Sequence, residues 1–320
     1  MQYDLIIIGS GAAGLGAAIY SGRYKMRTLV IGREFGGETA KAGTIENYPG
    51  VQSIDGYELM NLMKQQAVEL KVELFDGEVS KVARQKHCFM VKAGKASYEA
   101  KTIILAVGAE HRRLGLPNEQ ELTGKGVHYC VTCDGPVYTG KTIALVGGGD
   151  ASVKGAVLAA EYAKKIFLIA RGREITAEPV NLEHLKKLND KIEVILETEV
   201  KQIIGRNKLE KVILSRPYQN SLELIIDGLF IEIGAIPNAG LAKSLAVELD
   251  DRDYIKIDNL MRTNIDGVFA AGDAVNHFGI FKQAITSAAM GAVAATSAYN
   301  DLKIHGELCR WHARPAMIKK

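Results

Sequence analysis

Two glycine-rich stretches constrain this chain more than any other feature. Gly9-Ser10-Gly11-Ala12-Ala13-Gly14 and Gly147-Gly148-Gly149-Asp150-Ala151-Ser152 each follow a short apolar run and each open a helical pattern. Tyr3 to Ile8 carries isoleucines in series, as a parallel strand buried on both faces requires, and Thr142 to Val146 has the same character. A helix through about Tyr24 and a strand from Thr28 to Ile31 complete the first unit. A helix to about Ala163 and a strand from Ile166 to Ala170 complete the second. In such a unit the first glycine permits the turn, the second lets backbone approach a pyrophosphate, and the third lets helix pack on strand. A lone glycine pattern is a weak signal; between a strand and a helix it is a strong one. The expected class is α/β, with two Rossmann-like nucleotide-binding domains, and 320 residues suffice for two cores.

Between the fingerprints lies Cys130-Val131-Thr132-Cys133-Asp134. A Cys-x-x-Cys pair has three ordinary readings. Zinc needs two more close ligands, and while His128 is near, Cys88 and Cys309 stand far away. A permanent structural disulfide fits poorly with only 4 cysteines and no secretory pattern. A redox dithiol is therefore the favoured reading, with no metal. Cys309, in the basic tail that also holds Trp311, reads as an inert thiol rather than a relay.

Around the fingerprints stand further candidates. An acid that binds a ribose hydroxyl is expected about 20 residues after the first glycine turn. Glu34 could serve there or be a solvated surface charge. Gly36-Gly37-Glu38-Thr39 has the look of a second close approach to a bound group, and Glu46-Asn47-Tyr48-Pro49-Gly50 is turn-forming. After the second unit, Arg171 and Arg173 suit a 2′-phosphate or form a solvated turn. Asp273, at the end of Gly267 to Gly272, suits a cofactor hydroxyl or a helix N-cap, with a helix from about Phe281 to Asn300. The turn at Gly115-Leu116-Pro117-Asn118 marks one domain boundary and Pro237 approaches another. A net charge of +3 with 47% hydrophobic and 24% charged residues argues for neither nucleic acid nor membrane, and the cytoplasm is the expected location. Every apolar run falls short of the roughly 18 residues that a membrane span needs.

These motifs, in this order, resemble the low-molecular-weight thioredoxin reductases along nearly the whole chain. Gly9-x-Gly11-x-x-Gly14, Gly36-Gly37, Glu46 to Gly50, Gly115-Leu116-Pro117, Cys130 to Gly135, Gly147 to Gly149 and Ala270-Ala271-Gly272-Asp273 carry the likeness. The resemblance implies that the second domain is inserted into the first, with an FAD domain at 1–114 and 240–320 and an NAD(P)H domain at 115–239 holding the cysteines. It implies FAD contacts from Gly9, Ser10, Gly11, Ala12, Ala13, Gly14, Glu34, Gly36, Gly37, Glu38, Thr39, Asn47, Val79, Ala106, Gly108, Gly272, Asp273, Lys282, Gln283 and Ala284. For NADPH it implies Gly147, Gly149, Asp150, Ala151, Ser152, Arg171 and Arg173. It also implies a homodimer. One cysteine pair cannot sit against the flavin and also meet a protein disulfide, so the middle domain is expected to rotate about hinges near Gly115 and Pro237. Cys133 is then expected to face the flavin, Cys130 to attack thioredoxin or a thioredoxin-like or glutaredoxin-like protein, and Asp134 to move the proton. The departures concern the electron donor. Ala170, Gly172 and Thr176 stand where NADPH-using members have His, Arg and Arg; Lys154-Gly155 replaces a Glu-rich helix start, and Lys282 an arginine. NADH, ferredoxin or a deazaflavin is the alternative donor.

Overall fold

The computed structural model describes residues 2–85, 88–279 and 281–305. It divides into two compact units, one formed by the chain up to Ala109 and from Pro237 onward, the other by Glu110–Ile236.

In the first unit the parallel strands Glu73–Asp76, Thr28–Gly32, Gln2–Ile8 and Ala96–Leu105 lie side by side in that order. Val268–Ala270 joins the last of them in parallel, along Ile103 to Leu105. Cys88–Ala93 and Val79–Gln85 extend the same sheet antiparallel. Helices and strands bury both faces of Gln2–Ile8, so Leu5, Ile6 and Ile7 are fully buried and an unbroken apolar run is required rather than alternation. Helix Ala12–Arg23 lies against helix Ala284–His305 through small residues. A Cβ on Gly291 would stand 2.0 Å from the Ala13 carbonyl oxygen, and one on Gly16 would stand 2.5 Å from that of Ala288. The long helix begins three residues later than its pattern indicates, because the Thr286 hydroxyl donates to the Gln283 carbonyl and accepts from the Gln283 N–H at its first turn.

In the second unit five parallel strands run in the order Val127–His128, Gly228–Ile231, Thr142–Val146, Lys165–Ile169 and Ile192–Ile195. Alternate residues serve opposite faces. Ala144, Val146, Leu229 and Ile231 pack with Ile203, Val212 and Leu224 of the antiparallel sheet made by Val200–Gly205, Leu209–Tyr218 and Ser221–Ile225. Ile143, Leu145 and Phe230 pack on the other face with Val131, Val153 and Ala156.

The chain passes between the units at Ala109–Glu110 and Ile236–Pro237, a few residues before the expected 114/115 and 239/240. The Gly115 turn belongs to the second unit because the Glu119 carboxylate accepts from the N–H groups of Leu114, Gly115 and Leu116, while Leu114 and Leu116 join that unit's core. Asn238 belongs to the first, donating from its backbone to Gly108 O at 3.0 Å and from its side chain to Val107 O at 3.1 Å.

Candidate active site

The first glycine turn separates glycines that the protein needs from one that it does not. Gly9 has φ of +115°, and a Cβ there would lie 2.0 Å from Ala106 O; one on Gly14 would lie 1.9 Å from Gly9 O. On Gly11 the nearest protein atom would be 3.6 Å away. The helix that Gly11 opens receives no side-chain cap, so its first N–H groups are left without a side-chain acceptor. Space for close approach beside uncapped N–H donors is what a pyrophosphate requires, and the turn fits a dinucleotide.

Gly36 and Gly272, expected ligand residues far from the turn in sequence, pack against it. Gly36 bridges to Gly11, and Gly37 and Glu38 follow in the short helix Gly37–Ala40 with half-buried Thr39. The Asn47 amide donates to Gln283 Oε1 at 3.0 Å across 236 positions of sequence. Val79 follows Gly77, whose N–H donates to Gly32 O at 2.9 Å. Gly108, with open space at its Cβ position, follows Ala106 just beyond the strand that Leu105 ends. A Cβ on Gly272 would meet that of Ala13 at 2.8 Å. Asp273 does not cap the long helix, which starts at Ala284; it accepts from the Ser287 hydroxyl at 3.0 Å, and burial raises its pKa from the ordinary value. Lys282 donates to Val275 O and lies 4.5 Å from the Tyr254 ring centroid; burial lowers its pKa against the pull of Asp273 and Asp250. Ala12 and Ala13 are buried in helix packing, so only their backbone can serve a ligand. The Ser10 hydroxyl is spent on Glu34 O, at 3.0 Å. Both Glu34 and Glu38 hold Lys41 Nζ, at 2.9 and 3.1 Å, a cation that pattern reading passed over although it stands at i+3 from Glu38.

In the second unit Gly149 has no atom within 4 Å of its Cβ position, and helix Asp150–Ala159 likewise lacks a side-chain cap. Ser152, fully buried in place of the third glycine, donates to Gly149 O at 2.8 Å and tightens the turn. Asp150 is engaged structurally, accepting from Glu178 N at 2.7 Å and Asn181 Nδ2 at 2.9 Å. Ala151 is exposed beside it. Thr176, at the place of the family's distal arginine, donates through its N–H to Gly148 O at 2.7 Å. Arg171 is exposed beyond the Lys165–Ile169 strand, and the 92% exposed Arg173 faces Glu197 at 3.5 Å. Glu197 also pairs with Arg216, at 3.4 Å.

The cysteines are joined as a disulfide, with Cα atoms 5.4 Å apart, at the start of the one-turn helix Val131–Asp134. Cys130 is its N-cap, and its sulfur accepts from Cys133 N at 3.1 Å. Cys133 is exposed and Cys130 half-buried. Two glycines let this turn sit close to its support. A Cβ on Gly155 would reach the Val131 side chain at 2.9 Å, and one on Gly135 the Tyr162 hydroxyl at 1.8 Å. Asp134 Oδ2 lies 3.0 Å from His128 Nδ1, while His128 Nε2 lies 2.7 Å from the Tyr138 hydroxyl. Both ring nitrogens are thus engaged by protein groups, which the His-x-Cys-x-x-Cys spacing alone did not reveal. Cys309 lies outside the described residues.

The pyridine nucleotide-disulphide oxidoreductase family matches residues 3–291. The chain belongs to this family. Among pyridine nucleotide-disulphide oxidoreductases it is 38% identical to the thioredoxin reductase of Treponema pallidum, over 93% of this chain and 96% of that one. It is 39% identical to that of Mycolicibacterium smegmatis, over 92% and 95%. The crystal structure of Lactococcus lactis thioredoxin reductase matches 94% of this chain and 99% of that chain at 33% identity, with a TM-score of 0.89. Paired nucleotide-binding folds of the Rossmann type are therefore a property of the family to which this chain belongs. Among the described residues no helix is long and apolar enough to cross a membrane.

Proposed function

We propose that this protein is a thioredoxin-disulfide reductase, passing electrons from NAD(P)H through FAD and the Cys130–Cys133 pair to a disulfide on a thioredoxin-like protein. The observation that carries the reading is the Cys130–Cys133 disulfide, exposed at Cys133 and followed directly by Asp134, in a unit that also holds an open, uncapped dinucleotide turn. Held in the first glycine turn, FAD would supply the two-electron redox chemistry between the nicotinamide and the disulfide.

The protein's own residues bind and orient. The N–H groups at Gly11, Ala12 and Ala13 would hold the FAD pyrophosphate, with Gly36, Gly37, Asn47, Gln283 and the Asp273 carboxylate as the other groups that would bind the cofactor. Gly147, Gly149 and the helix they open receive the second dinucleotide, and Arg171 and Arg173 meet a 2′-phosphate. Asp134 holds or releases the proton that the sulfurs exchange, because the thiolate is the attacking species. Cys130 attacks the partner disulfide, and Cys133 then closes on Cys130 to release the partner as a dithiol. The dinucleotide form of the second unit favours NAD(P)H over ferredoxin or a deazaflavin as donor. A homodimer and a cytoplasmic location come with the family resemblance; sedimentation and cell fractionation test them.

The test is anaerobic. NADPH is expected to bleach the yellow chromophore of the purified protein and to drive reduction of thioredoxin. Replacing Cys130 and Cys133 with Ser should abolish thioredoxin reduction while bleaching persists. Full reduction by the double variant, or a colourless protein after reconstitution with FAD, would end the proposal.

A further inference from the structure

Behind the redox turn lies an ionisable group to which the proposed reaction assigns no role. His128 ends the Val127–His128 strand two residues before Cys130, and only 6% of it is exposed. Its ring stacks on buried Phe230 at 5.2 Å and 25°, and the edge of Tyr138 meets it at 5.4 Å and 75°. Held in this slot, the ring presents Nδ1 to Asp134 Oδ2 at 3.0 Å and Nε2 to the Tyr138 hydroxyl at 2.7 Å. An ionised carboxylate only accepts, so the hydrogen sits on Nδ1, and a neutral ring then accepts at Nε2 from Tyr138. Asp134 is 45% exposed at its side chain, and among the described residues no partner holds Oδ1. One carboxylate oxygen is therefore anchored and the other left available.

We infer that His128 is a positioning residue for Asp134: it fixes the carboxylate that directly follows the Cys130–Cys133 pair, so that Asp134 is held in place to exchange a proton with the sulfurs. The inference rests on the disulfide-reductase reading above. In that reaction a hydride equivalent from NAD(P)H and one proton from the medium convert the S–S bond into two thiols. The proton from the medium is the one that Asp134 handles. The other ionisable groups around the cluster are Tyr138, Asp227, Lys141 and Tyr162. Burial, together with the charges of Asp134 and Asp227, raises the pKa of Tyr138, so its hydroxyl keeps its hydrogen through the neutral range. Lys141 Nζ lies 5.5 Å from the Tyr138 ring centroid, and the Tyr162 hydroxyl lies under Gly135. His128 is the group among these that bonds directly to Asp134.

The test uses the full-length flavoprotein, reduced with dithiothreitol. Alkylation of Cys130 and Cys133 by iodoacetamide is followed against pH, peptide by peptide, by mass spectrometry. Asp134→Asn defines the profile without the carboxylate. His128→Gln is expected to move the midpoint in the same direction as Asp134→Asn, by about half a pH unit or more. It should lower kcat about tenfold, while KM for thioredoxin stays within about twofold. His128→Asn, whose amide nitrogen stands where Nδ1 stands, should recover most of the lost kcat. Should His128→Gln not fold, Tyr138→Phe takes its place, with a smaller shift in the same direction. A His128→Gln or Tyr138→Phe profile that overlays the wild type, while Asp134→Asn shifts, would overturn the inference and leave the disulfide-reductase reading standing. Unshifted profiles for every variant would remove Asp134 from that reading as well.

Discussion

Gly11→Ala and Gly14→Ala change the same atom count in the same turn and should do opposite things. At Gly11 the backbone has φ of −79° and ψ of −170°, which alanine adopts freely, and the new methyl would have 3.6 Å to its nearest protein neighbour. The apoprotein should lose nothing and gain roughly 0.4–1 kcal/mol from a stiffer unfolded chain. The methyl would, however, occupy the space left beside the uncapped N–H groups. Losing one or two charge-assisted hydrogen bonds to a phosphate costs about 3 kcal/mol, or roughly a hundredfold in FAD affinity. At Gly14 the methyl would stand 1.9 Å from Gly9 O, within the backbone itself, and stability should fall by more than about 3 kcal/mol. Thermal melts of stripped apoprotein and titration with FAD by fluorescence quenching measure the two effects separately. Unchanged FAD affinity in Gly11→Ala would refute the assignment of that space to the cofactor, and a destabilised Gly11→Ala apoprotein would refute the reading of the turn.

Three further outcomes are expected. The Tyr162 hydroxyl is buried with no hydrogen-bond partner among the described residues, so Tyr162→Phe should raise stability by about 1 kcal/mol in urea unfolding, and a loss would contradict this. Burial raises the pKa of Asp273, so the native state holds its proton more readily than the unfolded chain; stability from this group is fully present below the ordinary carboxylate value and is lost as pH rises through the raised native one. Asp273→Asn apoprotein should therefore melt above wild type at neutral pH and match it at about pH 3 in calorimetry. Glu197→Gln removes a charge that competes for Arg173 and Arg216, and should lower KM for NADPH about two- to threefold with little change for NADH, as initial-rate kinetics would show.

The parallel strands and both glycine turns were legible because burial on two faces enforces continuous apolar runs, and Leu5 to Ile8 and Ile143 to Val146 are such runs. Less could be read where geometry comes from residues far apart. The Asn47 amide meets Gln283 across 236 positions, and no local pattern encodes that contact. Ser10 and Asp150 were singled out as ligand contacts from their place in the fingerprints, yet their side-chain oxygens bond to Glu34 O and to Glu178 N and Asn181. Short polar side chains in a glycine turn have two uses, capping backbone or meeting ligand, and spacing does not distinguish them. Lys154-Gly155 read only as a departure from a Glu-rich helix start. The structure gives Gly155 a reason, since a side chain there would press on Val131 at 2.9 Å and Leu145 at 3.0 Å.

That contact links the two chemical parts of the second unit. Val131, Val153, Ala156, Leu145 and Phe230 share one apolar cluster on one face of the parallel sheet, so the redox turn and the helix of the dinucleotide fingerprint rest on the same layer. Val131 follows Cys130 directly, and the Asp150–Ala159 helix begins at Gly149. The turn is thus seated by a buried valine on one side and by Gly135 over Tyr162 on the other, with His128 holding Asp134 between them. A helix of one turn has too few internal hydrogen bonds to hold its own geometry. Its fixed position must come from the packing beneath it, and that is why the residues under the turn are as small or as exactingly shaped as Gly155, Gly135 and Phe230, while the sulfur of Cys133 lies on an exposed residue.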